Sequence, residues 1–142
     1  MRFWDTSALV PIFLEETTTR QVRHWQAVDP EITTWMMTRI EVASAIARWK
    51  REQPELAVLW NTAIRNVHIV SARWIEISDA AVVRRHAERI IMDHPLRAAD
   101  ALQLGSAIVA ADGDPSSLEF VTFDRRLGEA AVREGFPVLG VQ

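Results

Sequence analysis

The sequence contains no cysteine. That excludes disulfides, thiolate chemistry and cysteine-based zinc sites together. No apolar run approaches the roughly 18 residues needed to cross a bilayer. The opening MRFWDTSALV lacks the long apolar core and small-residue cleavage site of a signal peptide. A cytoplasmic protein without a membrane partner is expected. No glycine-rich phosphate loop is present, so nucleotide binding by that route has no support. Basic excess is missing too: the formal net charge is −3, unlike that of most nucleic-acid binders. Lysine is scarce, since 15 of the 16 basic residues are arginine and only Lys50 is lysine. Arginine grips phosphate through a bidentate fork, although genomic base composition explains the same bias.

What is present fits one domain over residues 1–142, with 49% hydrophobic content and no linker, repeat or low-complexity tract. Residues 2–5 read as a short buried strand, followed by a helix from about residue 8 whose first turn holds, or is kinked by, Pro11. Further helices are expected at 15–28, 37–51, 54–67, 79–92, 95–111 and 124–135, and strands at 31–35, 74–78, 118–123 and 137–141. Threonines are available to cap the helix at 15–28, Pro54 suits a first helical position, and Gly135 suits a helix end. Strands alternating with helices predict a mainly parallel sheet covered on both faces, a three-layer α/β/α sandwich.

Parallel sheets of this kind gather ligands at the carboxyl ends of their strands. Asp5 closes the first expected strand and Asp124 follows FVTF, which places both on one sheet edge. Each could equally be a helix N-cap. Glu41 lies in a helix that is apolar on most sides, where an ionised carboxylate needs a partner or a metal; an arginine, Arg39 or Arg97, is the structural alternative. Asp100 lies among Ala98, Ala99, Ala101 and Leu102, early in a helix whose dipole would favour an acid. With Arg97 and Gln103 it forms a narrow polar stripe at a spacing of three.

Four acids brought together would repel one another and raise their own pKa values unless they held divalent cations. Mg²⁺ and Mn²⁺ prefer such hard oxygen ligands, and a metal beside a phosphodiester can activate water and stabilise the leaving oxygen. Setting the four aside leaves 15 acids against 16 basic residues, a remainder of +1.

The ordered segments WDTSALV, TRIEVASAIAR, RAADALQLGSA and FVTFDRRL resemble the PIN domain family over essentially the whole chain, and more narrowly the VapC toxins of bacterial toxin–antitoxin pairs. The resemblance implies a metal-dependent ribonuclease with Asp5, Glu41, Asp100 and Asp124 as its acidic cluster. Thr6, Ser7 and Thr122 match hydroxyl positions beside those acids, in supporting roles. It further implies an RNA substrate, Mg²⁺ or Mn²⁺ as cofactor, a VapB-like antitoxin that blocks the site, and a homodimer. Gln103 stands where many relatives carry histidine.

Other features have plainer explanations. His24, His68, His86 and His94 share no motif and are read as ordinary packing or surface residues. Trp4, Trp49, Trp60 and Trp74 fit core faces, and Trp25 and Trp35 an interface or surface. DGDPSS lacks the twelve-residue calcium-loop pattern and reads as a solvated turn. Arg125 and Arg126 adjoin Asp124 and, with Arg97, are candidate phosphate contacts. Two rivals to the nuclease remain: a phosphatase with Asp5 as covalent nucleophile, whose usual second acid is here Ser7, and a non-catalytic binding module.

Overall fold

The computed structural model describes residues 1–141. In chain order the elements are β1 (Arg2–Trp4), α1 (Thr6–Phe13), α2 (Thr19–Val28), β2 (Ile32–Trp35), α3 (Thr38–Glu52), α4 (Ala57–Ser71) and β3 (Ile75–Ile77), then α5 (Ala80–Asp93), α6 (Ala98–Ala110), β4 (Glu119–Val121), α7 (Arg125–Arg133) and β5 (Val138–Leu139). The five strands form one parallel sheet in the order β3-β2-β1-β4-β5. β1 is therefore central, flanked by β2 and β4.

Alternation along β1 separates two cores. Phe3 faces a cluster with Val83, Ile90, Leu104 and Leu127 from α5, α6 and α7, and stacks on Phe120 at 5.4 Å between ring centroids. Trp4 faces the opposite cluster, with Leu9, Val22, Ile46 and Trp60 from α1 to α4. The sheet thus has helices on both faces, the expected three-layer sandwich. α5 and α6 pack closely because Gly105 has no side chain: a Cβ there would lie 2.9 Å from the Val83 carbonyl oxygen.

Several expectations need correction. Trp35 is buried at 4% exposure, in the cluster of α5–α7; Trp25 is half-buried and stacks on Phe123 at 5.9 Å. Pro11 lies in the second turn of α1, not the first. α2 starts at Thr19, several residues late, because its threonines do other work. Thr18 makes no side-chain cap bond. Thr19 Oγ1 accepts from the Glu16 amide at 2.8 Å and donates to the Pro11 carbonyl at 3.0 Å, which closes the α1–α2 loop. Pro54 opens a 3₁₀ turn (Pro54–Leu56) ahead of α4. Gly135, with φ of 97°, follows the end of α7 as expected.

Candidate active site

Asp5 directly follows β1, and its amide donates to the Val121 carbonyl at 3.0 Å, continuing the β1–β4 ladder to the sheet edge. It does cap α1, as its residue type allowed, but with one oxygen only. Oδ2 accepts from the Ser7 amide at 3.1 Å, Ser7 Oγ at 2.5 Å and Thr122 Oγ1 at 3.0 Å. Oδ1 receives no hydrogen bond from the described residues. Asp124 shows the same division: Oδ1 caps α7 by accepting from the Leu127 amide at 2.9 Å. The capping and site readings of these two acids are therefore compatible.

Ser7 and Thr122 tie the two strand ends together. Thr122 Oγ1 also accepts from the Asp124 amide at 3.0 Å, and Ser7 Oγ from the Phe123 amide at 2.9 Å. Each hydroxyl spends its proton on Asp5 and its lone pairs on the 122–124 turn. Thr122 is in turn backed by Gly140, which has φ of 108° and leaves no room for a Cβ against the Thr122 carbonyl.

Glu41, in the first turn of α3, is half-buried and has no arginine partner. Its Oε2 accepts from Thr6 Oγ1 and, at 2.7 Å, from Gln103 Nε2. The expected partners lie elsewhere: Arg39 meets His68 Nδ1 at 3.4 Å, and Arg97 forms no ion pair among the described residues. Gln103 is fully buried on α6 and also reaches Thr6 Oγ1 at 3.0 Å and Thr38 Oγ1 at 2.9 Å. Thr38 carried no signal in the sequence; Gln103 showed only its place in the polar stripe.

Asp100 stands in the first turn of α6, half-buried. With Asp5, Glu41 and Asp124 it lines one open cleft of about 660 Å³, together with Thr6, Ser7, Arg48, Trp49 and Phe123. No lysine, arginine or histidine forms an ion pair with any of the four acids among the described residues. Two of the four, Asp5 and Asp100, are raised above their ordinary carboxylate values. Burial pushes the Asp5 carboxyl up to about 6, against the lowering bonds from Ser7 and Thr122, with the Glu41 charge adding to the rise. Burial also raises Asp100, helped by the negative charges of Asp124 and Glu41 and opposed by Arg97.

The donor set suits a hard divalent cation in kind: the four carboxylates line one cleft, with Glu16 beside them, and its one arginine, Arg48, forms an ion pair with none of them. The side chains line the cleft without closing on one point. Among the described residues no group of three or more His, Cys, Asp or Glu is drawn together tightly enough to hold a metal ion. Asp5 is the acid most firmly held, by Ser7 and Thr122, and Glu41 is held by Thr6 and Gln103.

Arg97, Arg125 and Arg126 line a second recess against Asp100 and Asp124. Arg125 is drawn along α7 by Glu129, at 3.1 Å. The histidines lie away from the cleft; His94 is buried, with Nε2 2.8 Å from Glu134 Oε1. Asp114 caps a 3₁₀ turn (Pro115–Ser117) in the exposed DGDPSS segment. The family model described as PIN domain matches residues 2–133. No curated protein matches the chain.

Proposed function

Because this chain belongs to the PIN domain family, whose members are generally metal-dependent nucleases, we propose that it is a Mg²⁺- or Mn²⁺-dependent endoribonuclease, the toxin of a VapBC-type toxin–antitoxin pair. The observation that carries this reading is the convergence of Asp5, Glu41, Asp100 and Asp124, from four separate elements, on one cleft where no protein cation pairs with them. These four acids would hold the metal. When bound, a hard divalent cation supplies the charge that polarises a phosphodiester and activates water.

The chain's own residues do the positioning. Ser7 and Thr122 saturate Asp5 Oδ2, so that Oδ1 is the oxygen left for a ligand. Thr6 and Gln103 fix the Glu41 carboxylate. Asp100, raised by burial and further by the charges of Asp124 and Glu41, is suited to accept a proton as the attacking water loses it. Arg97 and Arg126 stand ready for phosphate oxygens.

The proposal includes a VapB-like antitoxin that covers the cleft, a homodimer and a cytoplasmic location. No helix among the described residues is long and apolar enough to cross a membrane. The test is incubation of partner-free protein with single-stranded RNA plus Mg²⁺ or Mn²⁺, with and without EDTA. Metal-dependent products bearing 5′-phosphate and 3′-hydroxyl ends are expected. Equal cleavage in EDTA, or cyclic-phosphate ends, would refute the mechanism.

A further inference from the structure

Arg48 follows Glu41 by seven residues on α3, two turns along and on the same side; Arg51 lies three residues further. Along the helix axis this sets Arg48 about 10 Å and Arg51 about 15 Å beyond Glu41, at 1.5 Å per residue. Both line a recess of about 470 Å³ that shares Thr6, Glu41, Ala45 and Arg48 with the acidic cleft. On the other side, the recess of Arg97 and Arg126 shares Asp100 and Asp124 with that cleft. Two arginine-lined recesses thus adjoin the acidic cleft, one along its Glu41 wall and one along its Asp100 and Asp124 wall, and they share no lining residue with each other.

The arginines at the ends are uncommitted. Arg48, Arg51, Arg97 and Arg126 form no ion pair among the described residues. Arg2, Arg23, Arg84, Arg89 and Arg125 are paired with acids, and the other arginines outside the recesses, like these four, are not among the described residues. A small phosphorylated molecule would need one cationic end. Two cationic ends about an acidic centre match a chain of phosphates whose middle member meets the acids through metal. Arg48 and Arg51 are placed for this by α3 alone, and their use does not depend on a net positive charge for the whole protein.

We infer that the trough binds an unpaired RNA strand, with Arg48 and Arg51 gripping phosphates on one side of the scissile bond and Arg97 and Arg126 on the other. This rests on the nuclease reading of the central cleft and adds the path of the substrate across it. A single strand fits better than a duplex for two reasons. The acids lie in a concave cleft, with Asp5 only 5% exposed, so the backbone must bend inward. Trp49 and Phe123 are half-buried in the cleft wall, and aromatic faces beside a cationic track suit unstacked bases.

The test measures binding of fluorescent single-stranded oligonucleotides by anisotropy over a salt series, in an Asp100→Asn background to prevent cleavage. Each lost phosphate contact lowers the slope of log K against log salt by about 0.7 on single strands. The pair Arg48→Gln/Arg51→Gln should therefore lower it by about 1.4, irrespective of sequence, as should Arg97→Gln/Arg126→Gln. Arg84→Gln/Arg85→Gln on α5 should leave it unchanged. Arg48→Lys/Arg51→Lys should keep the slope, and equal melting temperatures across the set check folding. Trimming the RNA from one end should abolish the effect of one pair, and trimming from the other end that of the second. An unchanged slope in Arg48→Gln/Arg51→Gln overturns the path and leaves those arginines to a protein partner; so does a response of both pairs to the same RNA end. Binding with the expected slopes but no cleavage by the parent chain in either metal would overturn the nuclease reading while retaining the trough.

Discussion

Gln103 Nε2 donates to Glu41 Oε2 at 2.7 Å, bridging α6 to α3. The same nitrogen lies within reach of Thr6 Oγ1 and Thr38 Oγ1, so three acceptors share two protons. Its own Oε1 is buried without a partner. The amide is thus oriented wholly toward the Glu41 side, at the expense of its carbonyl.

Replacing Gln103 by Met keeps the volume and removes both groups. Loss of a hydrogen bond to a charged carboxylate costs about 1.5–3 kcal/mol, and relief of the orphaned carbonyl returns about 1–3 kcal/mol. The two oppose, so the melting temperature should move by only a few degrees. RNA cleavage should fall by about tenfold to a hundredfold, the usual effect of losing a ligand's supporting partner. Full activity with a large loss of stability would make Gln103 a core residue only.

Asp100→Asn should abolish cleavage without unfolding the domain. The amide is nearly isosteric but lacks the anionic oxygen a hard cation needs. Neutralising Asp100 removes repulsion from Asp124 and Glu41, so the metal-free variant should melt no lower than the metal-free parent. A clearly lower melting temperature in EDTA would instead make the ionised Asp100 a structural group.

Asp5 makes stability depend on pH in a definite direction. Its folded pKa is raised from 3.8 to about 6, chiefly by burial. Between those values the native state holds a proton that the unfolded state has released, so this group's contribution falls as pH rises from about 4 to 6 and is flat above. Asp5→Asn does not titrate, and its Oδ1 can still accept from Ser7 and Thr122. The stability of the variant minus that of the parent should grow by up to about 3 kcal/mol from pH 4 to pH 7. Urea denaturation in EDTA at both pH values measures it, and a constant difference would mean that Asp5 titrates at its ordinary value.

Under the toxin–antitoxin proposal, expression of the chain alone should arrest bacterial growth, and co-expression of a VapB-like antitoxin should restore it. If that partner places an arginine among the four acids, it competes with the metal for them. Titrating Mn²⁺ into the purified complex should then relieve inhibition of RNA cleavage. An inhibition curve unmoved by Mn²⁺ would show that the partner blocks RNA access by another route.

The layered fold was legible because hydrophobic segments alternate regularly between strand and helix lengths. Trp35 was misplaced for a physical reason. β2 is buried along its whole length, with Ile32 in one core and Trp35 in the other, so the strand has no polar face to set its orientation. Asp5 and Asp124 were legible as strand-end acids, yet their type alone could not separate capping from ligation, and each makes the capping bond. Of the two donors to Glu41, Thr6 matched a hydroxyl position beside the acids, but Gln103 was not legible as a partner. An arginine was the ordinary expectation for a half-buried acid, whereas this second donor is an amide 62 positions away on another helix. The arginine trough was hidden by net charge, which sums over the chain and is blind to Arg48 and Arg51 sharing a helix side with Glu41.

The strand order has a consequence for the timing of synthesis. β1 is made first, yet it is central and needs β4 on one side. Thr122, the hydroxyl that grips Asp5, lies 117 positions further along. A nascent chain that has passed Glu41 has Asp5 without Thr122, and a cleft without its Asp124 wall. β1 meanwhile keeps a bare edge, open to mispairing until β4 (Glu119–Val121) is made. The acidic cleft therefore cannot form until Thr122 and Asp124 have been made, and a product truncated before Glu119 lacks both however well the rest folds.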